Sequence, residues 1–255
     1  MIRLENVSFA YQDEPVLRGV SCTLENGCLT AIIGANGSGK STMLRLCAGQ
    51  LRPKSGRVLA ESREAAAYTP KAFARAVAYL PQDRPVPMIS VRSLVSHGRF
   101  PYLGMTRRLN PADEAAVARA MEACGVAALD SRDLRTLSGG QRQKAYLAML
   151  MAQGAQSLLL DEPTTYLDVR HQLELMALLR RLTEEGRCVA AVLHDLRQAA
   201  SCDRALVLEQ GSILYDGPGS GGLYESGALE RAFGIRAVPG AEAGFVPVEK
   251  APDGL

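Results

Sequence analysis

Apolar and polar residues alternate from Ile2 to Phe9, through Ile2, Leu4, Val7 and Phe9, and the pattern repeats from Val16 to Leu24. A period of two turns one face of a strand inward, so these runs predict a strand-rich opening hairpin. Leu29-Thr30-Ala31-Ile32-Ile33 is a short run of buried-strand character that stops at a glycine-rich turn. From Ser41 to Gln50 the apolar positions Met43, Leu44, Leu46 and Cys47 then take helical spacing. Between residues 86 and 152 strand-like runs are scarce, and helical patterns at Val91 to Ser96, Ala112 to Cys124 and Gln141 to Met151 predict a helical insertion. The α/β pattern resumes with Ser157-Leu158-Leu159-Leu160, a helix around His171 to Glu185, and a buried strand from Cys188 to Leu193. Apolar strands separated by helices imply a mostly parallel sheet with crossover helices. After Gly211 glycine and proline become frequent; Gly217 to Gly222 reads as a linker, and the last ~15 residues read as poorly ordered.

Composition narrows the classes. At 255 residues the chain holds one sizeable core with a smaller inserted subdomain. A hydrophobic share of 47% with 22% charged residues excludes disordered and fibrous classes. A net charge of +2 demands no polyanionic partner, so no nucleic acid is expected. The six cysteines, Cys22, Cys28, Cys47, Cys124, Cys188 and Cys202, have no paired spacing and read as buried reduced thiols. Met1-Ile2-Arg3-Leu4-Glu5 lacks the basic stretch followed by an apolar one that a signal peptide shows, and no apolar run reaches the roughly 18 residues a membrane span needs. Any work at a membrane is therefore expected from its cytoplasmic face, as a peripheral protein.

Three strings carry chemistry. Gly34-Ala35-Asn36-Gly37-Ser38-Gly39-Lys40-Ser41, followed by Thr42, lies between a predicted strand and a predicted helix and fits a phosphate-binding P-loop. Its glycines let backbone N–H groups and the helix start face phosphate oxygens, Lys40 adds positive charge, and the Ser41 hydroxyl can ligate Mg²⁺. Leu158-Leu159-Leu160-Asp161-Glu162 is an apolar strand ending in two carboxylates, whose side chains diverge. Asp161 is expected to reach Mg²⁺ and Glu162 to polarise an attacking water. Leu137-Ser138-Gly139-Gly140-Gln141 opens a helical run and offers a second anion site at a helix start. About a hundred residues separate the two phosphate sites, so the P-loop of one copy is expected to face this loop of another.

This set, with LSGGQ between a P-loop and an Asp-Glu strand, resembles the ATP-binding cassette family over residues 1 to 235. The resemblance implies an α/β fold with a P-loop NTPase, RecA-like core (residues 1–85 and 153–220), an N-terminal antiparallel β subdomain, an inserted helical subdomain (86–152) and a C-terminal tail (236–255). It implies ATP and Mg²⁺ as ligands and ATP hydrolysis as the activity. It also implies a role for Gln82 at Mg²⁺ or the attacking water, for Tyr11 in stacking on adenine, for Asp168 in linking two sites across a dimer, and for His194 at the γ-phosphate. The implied partners are a second copy of the chain, two transmembrane permease subunits and an extracytoplasmic substrate-binding protein. Val91 to Gly104, containing Ser96-His97-Gly98-Arg99-Phe100-Pro101-Tyr102, resembles the importer branch serving iron-siderophore, haem and cobalamin uptake. Two positions depart from it: Lys144-Ala145-Tyr146 stands where relatives usually carry further arginines, and Tyr166 replaces a small residue or histidine. The alternative is a cassette ATPase outside transport, but one P-loop and no sustained heptads speak against it.

Overall fold

The computed structural model describes residues 1–104, 108–165, 167–237 and 245–247. Tyr166 and most of the C-terminal tail lie outside the described residues.

The opening alternation becomes β1 (Ile2–Tyr11) and β2 (Glu14–Leu24), paired antiparallel. Next come β3 (Leu29–Gly34), α1 (Lys40–Cys47), β4 (Ser55–Ala60), β5 (Arg63–Glu64), α2 (Pro70–Ala76) and β6 (Val77–Leu80). Three helices then intervene, α3 (Val91–His97), α4 (Pro111–Ala123) and α5 (Gly139–Gln153), before β7 (Ser157–Asp161). The chain continues through α6 (Val169–Glu184), β8 (Cys188–Val192), α7 (Leu196–Ser201), β9 (Arg204–Glu209) and β10 (Ser212–Pro218). It closes with α8 (Gly222–Glu225), α9 (Ala228–Phe233) and an antiparallel pair, β11 (Ile235–Ala237) and β12 (Phe245–Pro247).

Two main sheets result. One has strand order β2-β1-β4-β5 and is antiparallel. The other has order β10-β9-β3-β8-β7-β6 and is parallel except for its β10 edge. The central strands lack alternation because both faces are covered. From β3, Leu29, Ala31 and Ile33 enter a core shared with the helices, while Ile32 enters a second core against the hairpin and α1. Likewise Leu158 and Leu160 face the first core and Leu159 the second. Each such leucine or isoleucine contributes ~1.5–3 kcal/mol by leaving water. The sheet that carries the glycine loop and the carboxylates is thereby clamped from both sides.

Local chemistry sets the helix ends. Asn110 and Asp113 form a reciprocal capping box at α4, with Pro111 at its first position, and Ser138 and Gln141 form another at α5. Gly154 ends α5 in the left-handed region at φ 67°. The helices are joined by a buried ion pair: Arg99 Nε donates to Asp113 Oδ1 at 2.9 Å, and Arg99 Nη1 to the Ala152 carbonyl at 2.8 Å. Gly98 lies so close to α5 that a Cβ there would stand 2.3 Å from the Met149 carbonyl oxygen.

One expectation fails. Residues 217–222 are not a linker, because Gly217 and Pro218 still pair with Ala205 and Arg204 in the sheet and Gly222 begins α8. The glycines there allow close packing; a Cβ on Gly219 would meet the Cys202 carbonyl oxygen at 2.1 Å. The cysteines are free, five buried and Cys28 half-buried. Among the described residues, no helix is long and apolar enough to cross a membrane.

Candidate nucleotide site

The glycine loop joins the end of β3 to the start of α1. Its bend depends on close approach at Gly34, where a Cβ would sit 2.3 Å from the Leu208 carbonyl oxygen. Gly39 precedes α1 at φ 104°, and no side chain caps the helix or places an acid in its first turn. By contrast Thr69, Ser90, Asn110, Ser138, Asp168 and Asp195 each cap their own helices. The first amides of α1 are thus left for an anion. Ala35, Asn36 and Gly37 are exposed at the loop tip, whereas Ser38, Lys40 and Thr42 are buried. The Ser38 hydroxyl is buried without a partner among the described residues, a donor waiting for an acceptor.

Lys40 Nζ donates to the carbonyls of Gly34 at 2.8 Å and Ala35 at 2.9 Å. Burial lowers its pKa, against the opposing pull of Glu162 and then Asp161, so ammonium and carboxylates share one small volume. Ser41 Oγ donates to Asp161 Oδ1 at 3.0 Å. Asp161 is only 1% exposed, and burial raises its pKa more than hydrogen bonds from Ser41 and Tyr79 lower it. Glu162 follows in the left-handed region at φ 51°, unusual for a non-glycine residue, which swings its carboxylate off the strand line. His194 Nε2, just past β8, lies 2.7 Å from Glu162 Oε1.

The remaining candidates fall into two groups. Gln82 is exposed two residues beyond Leu80, which pairs with Leu160 next to Asp161, so its backbone reaches the same sheet end. Tyr11, 42% exposed, packs edge-on against Phe9 and also engages Arg45 of α1. Ser138, Gly139, Gly140 and Gln141 form the start of α5 elsewhere on the surface. Asp168 caps α6 and lies 2.8 Å from His171 Nδ1, while His171 flanks Gly140. Among the described residues, no hydrogen bond or ion pair joins Ser138–Gln141 to the glycine loop. The capping box takes the Ser138 and Gln141 amides, which leaves those of Gly139 and Gly140 to face outward contacts.

Two side chains escaped the sequence reading. Tyr79 donates to Asp161 Oδ2 at 3.2 Å, and Thr165 Oγ1 donates to Glu162 Oε2 at 3.1 Å. Both stand in strings read for another residue, Tyr79 with Gln82 and Thr165 with Asp168; the fold brings Tyr79 to Asp161 across 82 positions, and a local turn brings Thr165 to Glu162.

Among the described residues, an uncapped helix start, a buried lysine and a paired-carboxylate strand end define a nucleoside-triphosphate-binding cassette. The donor set fits the ligands: loop amides and Ser38 for phosphate, and the hard oxygens of Ser41 and Asp161 for Mg²⁺. The chain belongs to the ABC transporter family, whose profile matches residues 17–165, and its activity is that family's ATP hydrolysis. It is 38% identical over 240 residues to the ferric enterobactin transport ATP-binding protein FepC of Escherichia coli (strain K12), covering 93% of this chain and 88% of that protein. It is 39% identical over 216 residues to the iron(3+)-hydroxamate import ATP-binding protein FhuC of Bacillus subtilis (strain 168), covering 84% and 80% respectively. Its fold matches a chain of an ABC transporter in an inward-facing conformation with a TM-score of 0.81, at 27% identity and 98% coverage of both chains.

Proposed function

We propose that this chain is the ATP-hydrolysing subunit of an importer for an iron-siderophore, haem or cobalamin, bound to the cytoplasmic face of the membrane. It works as a homodimer on two permease subunits supplied by an extracytoplasmic binding protein. The observation that carries the reading is the contrast at helix starts: unlike α2 to α7, whose starts are capped by side chains, α1 has open first amides, and Ser41 in its first turn bonds Asp161. The iron-siderophore names of the relatives support the cargo class.

Gly34 to Ser41 wrap the phosphates, with Thr42 in the first turn of α1, and Lys40 exchanges its two carbonyl partners for phosphate oxygens. Tyr11 stacks on the base with its exposed ring. Bound Mg²⁺ supplies charge neutralisation at the phosphates, and Ser41, Asp161 and Gln82 are the residues that would hold it. Glu162 accepts a proton from the attacking water, and His194 holds the carboxylate and the γ-phosphate end of the site. Ser138, Gly139, Gly140 and Gln141 complete the partner's site, with Asp168 between the two. Their separation from the glycine loop within one chain supports this head-to-tail arrangement. Closure of the dimer and its reopening after hydrolysis move residues 86–152, the helical arm, and through it the permease.

Co-purification of the tagged chain from its own cells in mild detergent tests the reading. Multi-spanning subunits and a chelate-binding protein, with ATPase activity that rises in their presence, are expected. Recovery of ribosomal or DNA-repair factors without membrane subunits would overturn the transport role and leave the ATPase standing.

A further inference from the structure

Asp161 has two oxygens, and they have different partners. Oδ1 accepts from Ser41 at 3.0 Å, and Oδ2 accepts from Tyr79 at 3.2 Å. Tyr79 belongs to β6, beside β7 in parallel register, where it pairs with Leu159. Its ring packs on the core shared by α1 and the hairpin, while its strand neighbours Ala78 and Leu80 turn to the opposite core. The strand therefore fixes where the phenol points. The phenol is the donor in its bond to the carboxylate, which has only acceptors to offer when ionised. Arg45, on the outer face of α1, lies beside the hydroxyls of Tyr79 and then Tyr11, which raise its pKa. A guanidinium has donors only, so it engages the phenol oxygen and leaves the phenol proton for Asp161.

We propose that Tyr79, held by Arg45, is a positioning residue that locks the Asp161 carboxylate so that one oxygen stays turned toward Ser41 and the metal. A terminal carboxylate torsion is broad and two-fold, and a buried carboxylate with one free oxygen has no preferred orientation of its own. Anchoring Oδ2 removes that freedom. Partners of this kind, one step removed from a metal, typically change metal affinity by about 10–100-fold when lost. The inference rests on the reading of Asp161 as a metal residue. It adds that the same guanidinium lies beside the hydroxyl of Tyr11, the residue proposed to stack on the base, so base and metal ends of the site share one neighbour.

The test uses the full chain with ATP, carrying Glu162→Gln to prevent turnover, and reads Mn²⁺ affinity by electron paramagnetic resonance. Tyr79→Phe, which removes the hydroxyl and keeps the ring, is expected to weaken Mn²⁺ binding about 10-fold or more. ATP affinity in EDTA should stay unchanged, since the Tyr79 hydroxyl donates to Asp161. Arg45→Met, at an exposed position that leaves the core intact, should shift Mn²⁺ affinity in the same direction and serves if Tyr79→Phe does not fold. Wild-type Mn²⁺ affinity in these variants, with Asp161→Asn weakened, would overturn the role of Tyr79 alone. Wild-type affinity in Asp161→Asn would overturn the metal reading beneath it.

Discussion

His194 Nε2 sits 2.7 Å from Glu162 Oε1, and Thr165 Oγ1 donates to the second oxygen, Oε2, at 3.1 Å. The carboxylate that the proposal casts as base is thus held at both ends, and its backbone is held in the left-handed region at φ 51°. Strain of that kind persists only where surrounding contacts over-determine it. The strand β7 brings the residue to the sheet end, and the two side chains aim it.

Replacing Glu162 with Gln keeps the shape and removes the proton acceptor. Phosphate release should fall by about 10²–10⁴-fold, the range for loss of a general base, while ATP binding persists. Size-exclusion chromatography with ATP should then show accumulated dimers. Turnover near the wild-type rate in this variant would remove Glu162 from the role. His194→Ala should also lower turnover, because it removes the partner that holds Glu162 Oε1.

Asp161 is a buried carboxylate that costs stability at neutral pH. Burial raises its pKa above the ordinary 3.8, so the native chain holds that proton more tightly than the unfolded chain does. The stabilising contribution is present below about 3.8 and is lost as pH rises through the raised value; at neutral pH the buried charge is a cost. Asp161→Asn is expected to melt higher than wild type at pH 7 in the absence of nucleotide, with the gap shrinking as pH falls. Melting curves across pH check this, and a gap that is constant or reversed would contradict it.

Ser138 caps α5 and is proposed to complete a second copy's site, and one substitution separates the two. As the cap of α5 it accepts from the Gln141 amide at 3.2 Å, and Asp caps as well as Ser. In the proposed phosphate site completed by a second copy, it would tolerate no negative charge. Ser138→Asp should therefore fold with a melting temperature close to wild type, yet lose ATP-dependent dimerisation and most turnover. Ser138→Ala should lose about 1 kcal/mol of stability from the missing cap.

The sequence made β3, β7 and β8 legible because two cores strip them of polar positions, and the cluster of Lys40, Ser41 and Asp161 legible because each piece sits in a contiguous string. What it hid arises between strings. Tyr79 meets Asp161 across 82 positions and looks like an ordinary strand aromatic. The stretch after Gly211 misled for a related reason: Gly217 and Gly219 read as chain breaks, while in the fold they admit Tyr215 and the Cys202 carbonyl at close range. Composition cannot separate a glycine that loosens the chain from one that lets neighbours touch.

The segment Val91 to Gly104, which pointed to the importer branch, owes part of its composition to packing. Arg99 is 12% exposed and its partner Asp113 3%, and the guanidinium also stacks 3.7 Å from the Tyr102 ring centroid. Removing one member of a buried pair leaves the other charge unmatched, at ~3–5 kcal/mol. Arg99→Met should lower stability by that amount in denaturant titration, and a loss under ~1 kcal/mol would show the pair to be solvated.

Tyr146, one of the departures from the branch, ties the loop after Gln82 to the helix that begins at Ser138. Its hydroxyl donates to the Pro85 carbonyl, and the Arg84 guanidinium lies 4.9 Å from its ring centroid, with Arg84 Nη1 buried and unpartnered among the described residues. Burial lowers the Arg84 pKa, as expected for a charge resting on a ring instead of in water. One side chain thus grips residues 84 and 85 from α5. Tyr146→Phe keeps the ring under Arg84 and leaves the Pro85 carbonyl without its donor, a loss of about 1 kcal/mol. Tyr146→Ala removes both contacts and a buried ring, ~3–5 kcal/mol. If the grip couples Gln82 to α5, amide exchange in Tyr146→Ala should rise across residues 81–90 and at the start of α5 while residues 34–41 keep wild-type protection. Faster exchange spread evenly over the chain would mean that Tyr146 stabilises the fold as a whole and couples nothing in particular.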